Sequence, residues 1–188
     1  ALLNAPHSES TTEMFLAAFM KPESFTCFHL TNADLTQLCQ QLAIRKEEIA
    51  PHIIAKQRER LSHPDLIEQF EYIAPALASS PEARRECFQS LLKAENREIE
   101  PWALTLLRLL NHPLRQKEAL TYIRPALEIF EEIQITGDIF FPTNWCSALL
   151  GGHHSEEAQN KVELFLEQYS ETLNPLLVQK ILQAAYYI

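Results

Sequence analysis

The densest run of groups able to bind a metal or move a proton is His153-His154-Ser155-Glu156-Glu157. Zinc on a helix takes ligands three or four residues apart, because those positions share a face. Adjacent histidines diverge by about 100° and do not. The same residues fit a chain corner followed by a helix that Ser155 caps, with two acids in its first turn. Paired acids at Glu47-Glu48 and Glu131-Glu132 invite acid–base chemistry, yet the same divergence makes solvated charge the simpler reading. Cys27, Cys39, Cys87 and Cys146 lie 12, 48 and 59 residues apart. Without a Cys-x-x-Cys pair they read as thiols packed like small hydrophobes. No Gly-x-Ser-x-Gly, phosphate-binding loop or dinucleotide fingerprint occurs. An autonomous active site is therefore not expected.

Recognition is the better use of the remaining candidates. Phe140 and Phe141 lie in a short stretch between helices, so either one of them is exposed or packed on another domain, or both cap the core. Arg115 and Arg124 flank a repeated helix and are placed to meet a peptide carboxylate or an acidic neighbour, with a solvated ion pair as the plainer alternative.

The elements that must position these residues are helices. The 188 residues are 46% hydrophobic and 22% charged, enough for one substantial core. Only three glycines and two valines stand against abundant Leu, Ala, Glu and Gln, which favours helix over strand. Sixteen basic against twenty-five acidic residues give a net charge of −9, which repels a phosphate backbone, so nucleic acid is not expected as a partner. No apolar run reaches the roughly 20 residues that span a bilayer, and no basic-apolar-small leader opens the chain.

One phrase occurs twice. His63-Pro64 is followed by Tyr72-Ile73-Ala74-Pro75-Ala76-Leu77, and His112-Pro113 by Tyr122-Ile123-Arg124-Pro125-Ala126-Leu127. The copies are offset by 49 residues at the His and 50 at the Tyr, so the second carries one extra residue. Pro51, Pro101 and Pro142 each mark a helix start, and His63, His112 and His153 follow them by 12, 11 and 11 residues. Three Pro-to-His segments of about three turns, each ending at a corner, support a repeat of helix pairs whose 49–50-residue period lies slightly beyond the upper end of the HEAT and armadillo class. The expected architecture is an all-α, HEAT-like superhelix over 31–188, with residues 1–30 poorly assigned. Pro75 and Pro125 inside the second helices predict a matched kink, since an interior proline costs about 3 kcal/mol.

Individual elements follow from caps and stripes. A short helix over Thr11 to Met20 precedes a Pro22–Phe28 loop with exposed aromatics. Thr31 and Asp34 open a helix whose stripe is Leu35, Leu38, Cys39 and Leu42. Helices follow over Pro51–Leu61 and Pro64–Leu77, and Ser80-Pro81-Glu82 starts another through Phe88 and Leu91. Trp102–Leu110, apolar nearly all round, is expected to be the central core helix. Gly137 is expected to cap a helix in the left-handed region, with Thr136–Phe141 as the connector to a helix over Pro142–Leu150. Ser155 and Asn174-Pro175 open the last two helices.

The run Glu131-Glu132-Ile133-Gln134-Ile135-Thr136-Gly137-Asp138-Ile139-Phe140-Phe141-Pro142, with Trp145 beyond it, is distinctive. Together with Asn96-Arg97-Glu98-Ile99-Glu100-Pro101-Trp102, His112-Pro113-Leu114-Arg115 and Lys180-Ile181-Leu182-Gln183, it resembles the C-terminal helical domain of M1-family zinc aminopeptidases, bacterial members above all. The resemblance covers about 51–188. It implies a parent enzyme whose separate, preceding catalytic domain holds zinc through a His-Glu-x-x-His helix and a more distant Glu. It implies further that the HEAT-like domain packs on that catalytic domain and closes over the chamber that admits peptide N-termini. No His-Glu-x-x-His occurs here, so no zinc ligand and no catalytic Glu carries over, and the chain by itself is expected to be inactive. Arg115, Arg124, Asp138, Phe140 and Phe141 become candidates for contact with the chamber or the neighbouring domain. The rival reading is a stand-alone helical-repeat module that binds a protein or peptide, for which the negative charge favours a basic partner.

Overall fold

The computed structural model describes residues 8–24, 29–186 and 188. Among these, every regular element is helical: twelve α-helices linked by turns and single 3-10 segments, with no strand. Phe25, Cys27 and Phe28, which include the aromatics expected on the early loop, lie outside the described residues. The chain divides into two compact units, Ala1–Arg84 and Arg85–Ile188.

The first unit begins with α1 (Glu9–Met20), started by Ser8, whose hydroxyl accepts from the Thr11 amide at 3.1 Å. α2 (Asn32–Arg45) opens on a full capping box: Thr31 Oγ1 accepts from the Asp34 amide, and Asp34 Oδ2 accepts from the Thr31 amide at 2.8 Å. That pairing offsets two of the free amides every helix start leaves behind. It also holds the Asp34 carboxyl below its usual range, chiefly through the Thr31 hydroxyl. α2 packs on α3 (Ala50–Arg60) and on α1. α4 (Pro64–Ile73) follows the His63 corner. Phe19, Leu42, Ile53, Phe70, Ile73 and Leu77 are the fully buried core, each contributing roughly 1.5–3 kcal/mol through the apolar area it removes from water.

α5 (Pro81–Leu91) carries the division between the units. The second unit then contains α6 (Glu100–Leu110), α7 (Gln116–Ala119), α8 (Ile123–Glu128), α9 (Phe130–Thr136), α10 (Phe141–Leu150), α11 (Glu156–Tyr169) and α12 (Pro175–Ala185). α6 buries Ala103, Leu104, Leu106, Leu107, Leu109 and Leu110, as its apolar run requires. The hub, however, is α10: it packs against α12, α6, α9 and α8. Phe141, Trp145, Cys146, Leu149 and Leu150 of α10 are all buried. Thr143, Asn144 and Ser147 interrupt its apolar sequence, yet its large side chains find partners on several sides.

The matched kink takes another form. In the first copy of the phrase α-helix stops at Ile73 and a 3-10 turn, Ala74–Leu77, holds Pro75. In the second, α7 ends at Ala119, residues 120–122 form a turn, and α8 restarts with Pro125 in its first turn. Neither proline lies in a helix interior. The chain restarts just ahead of each, where the missing N–H and the ring cost little.

Candidate functional site

The stretch between α9 and α10 gathers three of the four distinctive sequence phrases. Gly137 ends α9 at φ −101° and ψ 175°, extended backbone and not the left-handed cap the sequence led us to expect. Glycine is required by proximity: a Cβ there would lie 2.3 Å from Phe141 Cδ1 and 2.9 Å from the Ile133 carbonyl oxygen. Asp138 then holds the turn. Its Oδ1 accepts from the amides of Phe140 at 2.7 Å and Phe141 at 2.8 Å, and its own amide donates to Glu100 Oε1 at 2.8 Å. Asp138 thus caps the start of α10, the position where a carboxylate meets the free amides and the positive helix end.

The turn separates the two phenylalanines. Phe141 is buried and meets Trp145 edge-on, ring centroids 5.8 Å apart. Phe140 is 68% exposed, beside Ile139 at 81% and Ile135 at 82%. Ile139 of this ridge also walls a cleft of about 570 Å³, with Pro142 and Leu176, edged by Asp138, Lys180 and the amides of Gln134, Gln179 and Gln183. A second hollow, of about 270 Å³, is lined by Glu95, Arg97, Glu98 and Glu100 with Thr136 and Phe141.

The phrases are tied together by side chains. Arg97 is buried, donates Nη1 to the Leu91 carbonyl at 2.8 Å and Nη2 to Glu132, and lies 5.8 Å from the centre of the Trp145 ring. Lys180 Nζ donates to Thr143 Oγ1 at 2.5 Å, joining α12 to α10. The Trp145 indole donates to the Ala126 carbonyl at 3.1 Å, linking α10 to the second repeat phrase.

Arg115 and Arg124 lie elsewhere in the unit and differ from each other. Arg124 is exposed; Nε meets Glu128 at 2.8 Å one turn along its own helix, and Nη2 reaches Gln168 and the Tyr169 hydroxyl on α11. Arg115 is buried at the His112 corner, its amide donating to the His112 carbonyl at 2.8 Å. The five candidates therefore do not share one site: Asp138 and Phe140 are at the ridge, Phe141 beneath it, and the two arginines apart.

His153 and His154 separate as adjacent residues should. His154 is exposed, while His153 is fully buried with Nε2 3.1 Å from Asn111 Oδ1. Asn111 Nδ2 donates to the Leu107 carbonyl, which leaves Oδ1 as acceptor and assigns the ring proton of neutral His153 to Nε2. Burial, with the neighbouring His154, lowers the His153 pKa to about 4. Gly152 is necessary here: a Cβ would come within 1.7 Å of the Asn111 carbonyl oxygen. Among the described residues no three His, Cys, Asp or Glu side chains gather as a metal site. Burial pushes the Cys39 and Cys87 thiols up to about 12 and Cys146 higher still, so none of the three is a ready nucleophile.

Sequence reasoning missed the arginines that reach back to main-chain carbonyls, the buried Arg84 and the partly exposed Arg60. Arg84 donates Nη1 to the carbonyls of Ala78 at 2.6 Å and Ser79 at 3.0 Å and to Glu47 Oε1 at 3.1 Å; Arg60 donates Nη2 to the Phe19 carbonyl at 2.6 Å. Each saturates carbonyls left over where a helical segment ends, a task suited to a planar fork of donors. One acid of each Glu pair, Glu47 and Glu132, thereby serves a buried arginine.

No family model, curated protein or solved structure matches the chain. No helix among the described residues is long and apolar enough to cross a membrane.

Proposed function

We propose that the chain is the C-terminal HEAT-like domain of an M1-type zinc aminopeptidase, packing on the catalytic domain and capping the chamber that receives peptide N-termini. The parent reaction is hydrolysis of the N-terminal residue by zinc-activated water. Zinc belongs to the catalytic domain, and this chain supplies neither ligand nor general base. The observation that carries the reading is that phrases chosen for their resemblance, far apart in sequence, meet at one structural feature: Glu100 on Asp138, Arg97 on Glu132, and Lys180 on α10. An all-helical fold, with a His-Pro corner in each unit, supports it as well.

The test is the parent reading frame. It should encode His-Glu-x-x-His and a more distant Glu upstream of this domain; a complete frame without them removes the aminopeptidase reading. In that outcome the exposed ridge favours the second reading, a helical binding module.

A further inference from the structure

We propose that the ridge Ile135–Ile139–Phe140 is a docking site for a basic polypeptide segment in which a large apolar residue stands next to Lys or Arg. The proposal concerns the surface of the second unit and does not depend on the aminopeptidase reading.

Three large apolar side chains at 68–82% exposure lie within six residues of one another in the chain, a local concentration of exposed apolar surface of the kind that marks an interaction site. The patch is held ready for contact. Asp138 pins the turn through the Phe140 and Phe141 amides, and Glu100 pins Asp138, so Phe140 is presented outward by a fixed backbone and little ordering is needed on binding. Beside it, the cleft offers apolar walls at Ile139 and Leu176 and amide groups at Gln134, Gln179 and Gln183. That combination suits an apolar side chain with its main-chain amide.

Charge chooses the rest of the partner. Glu95, Glu98 and Glu100 line a hollow shared with Thr136 and Phe141, whose cation, Arg97, is paired with Glu132, while Lys180, hydrogen-bonded to Thr143, shares the cleft with Asp138. Residues 85–188 hold nine Lys and Arg against fourteen Asp and Glu. A nucleic acid or an anionic lipid surface is repelled by such a face. A second copy of this chain, docked through the same patch, would set the acids of one against those of the other. A cationic, apolar segment meets both features at once.

Fluorescence anisotropy on the full chain tests this with a fluorescein-labelled peptide, Gly-Lys-Leu-Lys-Phe-Gly, and its analogue with Glu in place of Lys. The basic peptide should bind saturably and lose affinity as salt rises. Binding should weaken at least about tenfold in Phe140→Ser, the loss of one large buried side chain, and again in Glu95→Lys/Glu98→Lys. These side chains are exposed, so the variants should keep the parent circular dichroism and melting temperature. Three results overturn the proposal: equal binding of the acidic analogue, affinities unchanged in either variant, or no saturable binding at millimolar peptide. Concentration-dependent self-association in sedimentation that Phe140→Ser abolishes would also overturn it, assigning the ridge to a second copy.

Discussion

The repeated phrase lies once in each compact unit, and its two copies fold differently around the same buried residues. Ile73, Ala76 and Leu77 of the first are matched by Ile123, Ala126 and Leu127 of the second, all buried. Between corner and stripe, the first copy is one unbroken helix, α4, while the second is a 3-10 turn, the four-residue α7, a further turn and α8. The one-residue insertion explains the difference. In a continuous helix an extra residue rotates everything after it by about 100°, which would carry Ile123 and Leu127 off the core face. The chain breaks the helix instead and keeps the stripe in register. The corners diverge too: His63 is solvent-exposed, whereas His112 and His153 are buried. Side-chain burial outranks helix continuity when the two conflict.

Substitutions can break this comparison, the largest effect coming from the residue that holds the second copy in place. Trp145→Ala removes a fully buried side chain and its bond to Ala126, and should destabilise the second unit by about 3–5 kcal/mol in chemical denaturation. Next is the buried corner histidine His153 under acid. His153 has a folded pKa near 4, below its unfolded value of about 6.5, so the folded state favours the neutral ring. Its contribution is complete above about pH 6.5, falls as the pH drops toward 4, and levels off below that, a loss on the order of 3 kcal/mol. A stability–pH curve should lose this limb in His153→Gln.

Smaller effects sharpen the contrast. Tyr122 is buried, stacked on Phe88 with centroids 4.3 Å apart, and its hydroxyl donates to Glu118 Oε1 at 2.7 Å. Tyr122→Phe should cost about 1 kcal/mol, read as a shift of the denaturation midpoint. Arg124→Ala breaks only exposed contacts, with Glu128, Gln168 and Tyr169, and should shift the denaturation midpoint least of these substitutions.

Helix starts were legible in the sequence because caps act locally: Thr31 with Asp34, Ser155, and Asn174 before Pro175 all accept the amides their positions predict. The buried stripes were legible for the same reason, since helical spacing fixes which residues share a face. What escaped depends on distance in sequence. Gly137 looks like a left-handed cap, and only the approach of Phe141 reveals that it is needed for space. Arg84 and Arg97 look like surface charges until their partners at Glu47 and Glu132, more than thirty residues away, are in place. At the ridge, the phenylalanine pair was visible but not its division, because the choice between Phe140 and Phe141 is made by the Asp138 turn and the Trp145 ring.

The proposed function is tested most directly on the native protein, captured from its source with an antibody to this chain and analysed for mass, zinc and release of N-terminal residues from peptides. The expected result is a polypeptide larger than 21.6 kDa carrying zinc, with chelator-sensitive aminopeptidase activity. A zinc-free polypeptide without that activity would contradict it.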